Sequence, residues 1–223
     1  MVEAEEAVKP SIAYIDELED ARADFFTDAW QSGLFEAVHV LAPEPTLEQM
    51  LDKLSELGVD AVISDFRLTE AGPVEYNGEG LLDAVSARRA GFPCFIQTSL
   101  PEEALLVADD VNRVYSKDPN AGTGRQQFLQ RIVLQIQKHQ SRMAAWQSEL
   151  DELLAIDRNE LSSMQVDRIL DLDQAIEENI GADDPVSRQV KRDLLSGTLL
   201  SRQTELLEET EKLIADMRKA LNE

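Results

Sequence analysis

SIAYIDE at residues 11–17 and DAVISD at residues 60–65 decide the fold. Each is a short apolar run that stops on an acid, the pattern of a buried strand leading to a polar edge. Three further runs, Ala37–Leu41, Pro93–Thr98 and Arg113–Tyr115, are bounded by turn residues in the same way. Amphipathic stretches separate them. Leu47, Leu51, Leu54 and Leu57 recur at helical spacing behind a Thr46/Gln49 capping box. Leu81, Leu82 and Val85 mark a helix after Asn77-Gly78, and Ser99 with Glu102 around Pro101 marks the start of another. Strands alternating with helices predict an α/β domain with a doubly wound, five-stranded parallel sheet of flavodoxin-like topology. In such a sheet ligands sit at the carboxyl ends of the strands, so the residues that end the runs carry the functional reading.

Those ends are Asp16-Glu17, Asp65, Thr98-Ser99 and Lys117. Parallel strands bring them to one edge, so three carboxylates, a hydroxyl and an ammonium converge. Three acids alone would repel one another and resist ionisation. A hard divalent cation resolves that conflict, and Mg2+ suits a few carboxylates with carbonyl and water oxygens. The lysine and the hydroxyl are then left to hold an incoming phosphoryl group.

This set of strand ends resembles the response-regulator receiver domain of two-component signalling, over about residues 10–122. The resemblance implies that Asp65 is the phosphorylated aspartate. It also implies that Asp16 and Glu17 hold Mg2+ with Asp65 and the backbone carbonyl of Arg67, that Thr98 binds phosphoryl oxygens, and that Lys117 pairs with Asp65 or its phosphate. A histidine kinase or phosphotransfer protein is the implied donor. No turnover enzyme is implied beyond autophosphatase loss of the phosphate. The chain departs from the family pattern in three places. The loop after Asp65 is longer, Asp118 separates Lys117 from Pro119, and Val114 stands where the family has its aromatic switch residue. Tyr115 is one step out of register and is expected on the opposite face of its strand.

Of 223 residues, 44 are acidic and 21 basic, for a formal charge of −23. That field argues against nucleic-acid and anionic membrane partners. One cysteine, Cys94, rules out an internal disulfide framework. It lies in a strand run and reads as a small buried apolar group. No apolar run approaches the roughly 18 residues of a membrane span, and the acidic start MVEAEEAVKP lacks a secretory core. The expected location is cytoplasmic.

Texture changes near residue 123, after which only Gly124, Gly181, Gly197 and Pro185 interrupt the chain. Three segments are expected: an acidic tail at 1–9, the receiver-like domain at 10–122 and a helical region at 123–223. Leu129, Ile132, Ile136, His139, Met143, Trp146, Leu150 and Leu153 alternate three and four apart, a seam running from the last receiver helix to about Ile156. His139 occupies an interior position on that seam and reads as structural. Leu161-Ser162 with Gln165 and Val166 predicts a staple and capping box opening a helix to about Ile180, with Gly181 as its stop. Asp184-Pro185 opens another towards Leu221. These helices pack as an antiparallel bundle or coiled coil, or pair with a second chain as a homodimer. The region matches no recognised output domain, so an unidentified protein target is its default partner. Two alternatives stand beside the switch: a non-phosphorylated pseudo-receiver acting as a constitutive adaptor or scaffold, and a phosphatase of the haloacid-dehalogenase type, whose DxDx(T/V) motif the run Asp16-Glu17-Leu18-Glu19 does not match.

Overall fold

The computed structural model describes residues 8–69, 74–118, 124–181 and 186–195. The chain divides into two compact units, Met1–Arg142 and Met143–Glu223.

In the first unit the five apolar runs form strands β1 (Ser11–Ile15), β2 (Ala37–Leu41), β3 (Ala61–Ser64), β4 (Cys94–Thr98) and β5 (Val114–Ser116). All pairings are parallel, in the order β2-β1-β3-β4-β5. Helices α1 (Glu19–Ser32), α2 (Leu47–Leu57), α3 (Gly78–Arg88), α4 (Pro101–Val107) and α5 (Arg125–Leu154) follow the strands in turn. The two-residue period of each strand sorts its side chains between two apolar layers. Ala13, Ile15, Val62, Cys94 and Ile96 face a layer completed by Met50, Leu54, Leu81, Leu82 and Val85 from α2 and α3. Ile12, Tyr14, Ile63 and Phe95 face the other, completed by Phe25 and Ala29 of α1 and by Phe128, Ile132 and Ile136 of α5. The doubly wound sheet expected from the sequence is present.

Local signals act largely as expected. Thr46 caps α2 by accepting from the Gln49 amide at 3.4 Å, and Asn77 caps α3 by accepting from the Gly80 amide at 2.8 Å. The start of α4 is a correction. Its N-cap is Leu100, not Ser99, and no side chain of the cap residue bonds to the helix. Thr98 Oγ1 accepts from the Leu100 amide at 3.1 Å, which holds the turn from β4 into α4 without capping the helix. Tyr115 lies on the α5 face, 4.7 Å between ring centroids from Phe128, while Val114 packs in the opposite layer. Cys94 is buried, and burial pushes its thiol up to about 12. His139 is buried against Phe92, edge to face at 6.1 Å, and desolvation holds its imidazole below the ordinary range.

Helix α5 carries the long seam without interruption, its last twelve residues lying in the second unit. There α6 (Ser163–Ile180) and α7 (Arg188–Leu195) follow. The capping box at Ser162 and Gln165 is complete. Gly181 ends α6 with a φ of 71°, a left-handed conformation that costs glycine little. Leu150, Ile169 and Leu172 form the core of this unit, with Trp146, Leu153 and Leu161 packed on it. Arg188 pairs with Asp171 and Arg192 with Asp167, so moving up α7 moves down α6 and the two helices run antiparallel. The stretch from Asp184-Pro185 and the leucine stripe beyond Leu195 lie outside the described residues, as do the first seven residues of the acidic tail. Among the described residues no helix is long and apolar enough to cross a membrane.

Candidate functional site

The order of the sheet reverses between β1 and β3, the position at which an open α/β sheet forms its ligand crevice. Ile15 is level with Ser64 in the register, so the next residues, Asp16 and Asp65, emerge side by side. The Asp65 amide donates to the Ile15 carbonyl at 2.8 Å and extends that ladder past the last strand residue. On the other side the Lys117 amide donates to the Thr98 carbonyl, also at 2.8 Å. The strand ends are therefore tied in two pairs, β1 with β3 and β4 with β5, by backbone bonds before any side chain contributes.

Lys117 links the acids. Its Nζ lies 2.7 Å from Asp16 Oδ2 and 2.5 Å from Asp65 Oδ1. Burial by itself would lower the lysine's pKa, but the two carboxylates outweigh it and hold the ammonium above its ordinary range. Asp65 is nearly buried, and desolvation raises its carboxyl despite Lys117 and the amide of Arg67, which donates to Asp65 Oδ2 at 2.7 Å. Glu17 is raised too, first by burial and then by the charges of Asp16 and Asp65, and its Oε2 is buried with no hydrogen-bond partner.

Of the residues expected at the site, the structure brings Asp16, Asp65 and Lys117 into direct contact and places Arg67 on Asp65 through its amide. Glu17 feels the charges of all three. Thr98 ends the neighbouring strand, buried, with its hydroxyl on the Leu100 amide.

A hard cation suits this donor set, because an orphaned carboxylate oxygen beside two other acids is what it would repair. As the side chains stand, the charge-balancing position belongs to Lys117, and among the described residues no three His, Cys, Asp or Glu side chains close to metal-ligand spacing.

Two contributors were not read from the sequence. Tyr14 was legible only as a core strand residue, yet its hydroxyl donates to Asp16 Oδ2 at 2.6 Å. Gly78, visible as part of a turn, lies so close to the phosphoacceptor candidate that a Cβ there would stand 1.8 Å from the Asp65 carbonyl oxygen. The Asn77-Gly78 pair was the available signal for that approach.

The first unit is receiver-like. Its strand order and its acid, acid and lysine strand ends carry that description. No protein-family model and no curated protein matches the chain. Similar solved structures include the anti-anti-sigma factor PhyR from Bartonella quintana, 13% identical with a TM-score of 0.45. That likeness covers 62% of this chain and 53% of PhyR, so the chain spans about half the length of that relative. RcsB from Salmonella enterica serovar Typhimurium, bound to promoter rprA, is 14% identical with a TM-score of 0.41, over 79% of this chain and 94% of that one. A two-component response regulator RcsB–DNA complex gives 14% identity and a TM-score of 0.43, over 84% and 98%. The DNA in those structures is a property of RcsB.

Proposed function

We propose that the chain is a two-component response regulator whose receiver-like unit takes a phosphoryl group on Asp65, in the presence of Mg2+, and thereby alters the interactions of its helical region. The observation that carries this is the Lys117 clamp: one ammonium bridges the buried Asp65 and Asp16 at the carboxyl ends of β3 and β1, where the strand order reverses. A structural ion pair can sit anywhere in a fold, whereas a phosphoacceptor needs the carboxyl edge of the sheet and a cation beside it.

In the proposed transfer, a carboxylate oxygen of Asp65 attacks the phosphorus of a phosphohistidine on a kinase or phosphotransfer protein. The new O–P bond forms as the P–N bond breaks, and the imidazole keeps the electron pair and takes a proton from solvent. Mg2+ held by Glu17, Asp65 and the Arg67 carbonyl, with Asp16 anchoring Lys117 beside it, would neutralise phosphoryl charge. Lys117 meets the added charge, about −1.5 to −2 at neutral pH, and Thr98 offers its hydroxyl. Because that hydroxyl also holds the Leu100 amide, one residue before α4, drawing it to the phosphoryl group loosens the turn that leads into that helix. Val114 leaves no aromatic to follow, so the start of α4 is the proposed readout. The output is a changed contact of the helical region with a protein target or with a second copy of the chain. A cytoplasmic location and a non-enzymatic role belong to the same reading. The expectation that nucleic acid is not a partner rests on the charge of −23 and on the lack of a helix-turn-helix pattern with a basic face.

A constitutive adaptor is the second reading, favoured by the absence of three acids at metal-ligand spacing among the described residues. Intact-mass measurement after incubation with Mg2+ and a small acyl phosphate separates the two. One phosphoryl adduct, lost in Asp65→Asn and on chelation, is the expected result. No adduct under any condition would leave the adaptor.

A further inference from the structure

On the receiver reading of this site, we propose that Tyr14 is a positioning residue that keeps Asp16 turned inward as the anchor of Lys117 and withholds it from the cation. The ring is itself immobilised. It is buried in β1 and stacked on Phe25 of α1, with centroids 4.0 Å apart and planes 8° from parallel. Its hydroxyl has a fixed direction, and Asp16 Oδ2 accepts from it at 2.6 Å. The same oxygen takes Lys117 Nζ at 2.7 Å, and Oδ1 takes the Leu18 amide at 2.9 Å. Both oxygens of a fully buried carboxylate are thus committed to protein donors.

The adjacent acid behaves differently. Glu17 Oε2 is buried and accepts from nothing. A carboxylate pair that looks equivalent in sequence is therefore divided: one oxygen of Glu17 has no donor on it, whereas both oxygens of Asp16 already accept from protein donors. Turning Asp16 towards a cation would break the Tyr14 bond and leave a buried phenol without its acceptor, which costs free energy. The Tyr14 hydroxyl and the cation compete for one carboxylate.

Tyr14→Phe keeps the ring and its stacking and removes only the hydroxyl. We expect it to bind Mg2+ about tenfold more tightly than wild type, the equivalent of ~1.4 kcal/mol for one hydrogen bond to a charged group. Calorimetry of Mg2+ binding reads this without phosphate present. In an Asp16→Asn background the same substitution is expected to leave the affinity unchanged, because the competed carboxylate is gone. An equal Kd for wild type and Tyr14→Phe, with a lower melting temperature for the variant, would make Tyr14 a packing residue and overturn the inference.

If Tyr14→Phe fails to fold, carbon-13 carboxyl shifts of the wild type decide. Saturating Mg2+ is expected to move the Glu17 and Asp65 resonances and to move Asp16 least; a shift of Asp16 as large as that of Asp65 overturns the inference. The phosphoryl adduct is scored separately. Mg2+ binding gained in Tyr14→Phe by a protein that never takes phosphate would sink the receiver function and keep the role of Tyr14. Phosphate uptake with no effect of Tyr14→Phe on Mg2+ would do the reverse.

Discussion

Among the described residues two lysines each grip two acids, in different surroundings. In the first unit Lys117 holds Asp16 and Asp65; in the second, Lys191 holds Asp173 and Glu177. The lysines are almost equally covered, with side-chain exposures of 21% and 18%. Their partners are not. Asp16 and Asp65 are 0% and 8% exposed, whereas Asp173 and Glu177 are 34% and 25% exposed. Water screens the second set, so that triad ties α6 to α7 as any surface pair would. At the sheet edge the acids have lost their water, and the ammonium is what keeps two charges tolerable side by side. The difference teaches that the burial of its acids, not its residue types, sets how strongly an ion pair is coupled.

Removing each lysine charge tests that contrast most strongly. Lys117→Met is expected to destabilise the first unit by about 3–5 kcal/mol at neutral pH, because it strands two buried carboxylates. Lys191→Met is expected to cost no more than about 1 kcal/mol. Urea unfolding of both variants measures the gap, and equal losses would break the comparison. The pH sense follows from the raised pKa of Lys117. Its contribution is complete below the ordinary lysine range and is lost only as pH rises through the higher folded value. The excess cost of Lys117→Met therefore persists through mildly alkaline pH.

Gly78→Ala sharpens the same contrast from the backbone side. A Cβ 1.8 Å from the Asp65 carbonyl oxygen forces the loop outward, with an expected cost of about 1–3 kcal/mol and a slower phosphoryl uptake. Uptake at the wild-type rate would show that the close approach serves packing alone. Ser162→Ala, which removes half of the capping box of α6, is expected to cost about 1 kcal/mol in the second unit and to leave uptake unchanged.

The smallest effect concerns Glu79, buried in the first turn of α3 with Oε2 unpartnered. Burial raises its carboxyl pKa, so the folded state binds the proton more tightly than the unfolded chain. Stability is then expected to rise as pH falls from neutral through that raised value towards the ordinary glutamate range. Glu79→Gln should flatten this part of the profile, measured as urea midpoints across pH. Glu17 and Asp65 contribute with the same sign, so an unchanged slope would assign the effect to the strand-end acids instead.

The strands, the α2 cap, and the Ser162–Gly181 boundaries of α6 were legible because each is specified within a few residues of itself. Alternation, a hydroxyl before a helix and a glycine after one are local facts. The strand-end acids and Lys117 were legible for a related reason: once strands are parallel, their ends must share an edge. The start of α4 was not, since whether Ser99 can cap it depends on where β4 stops and on the turn that Thr98 and Leu100 make. Nor could any local pattern have revealed Tyr14, which satisfies strand periodicity as well as valine would. Its hydroxyl acquires a partner only when the chain turns at Asp16 and α1 clamps its ring. The sequence by itself determined which residues reach the sheet edge, because side-chain period and chain direction are properties of neighbours along the chain. Tertiary structure decided which of those acids is free, because the donors that engage Asp16 include Lys117, 101 residues further along the chain.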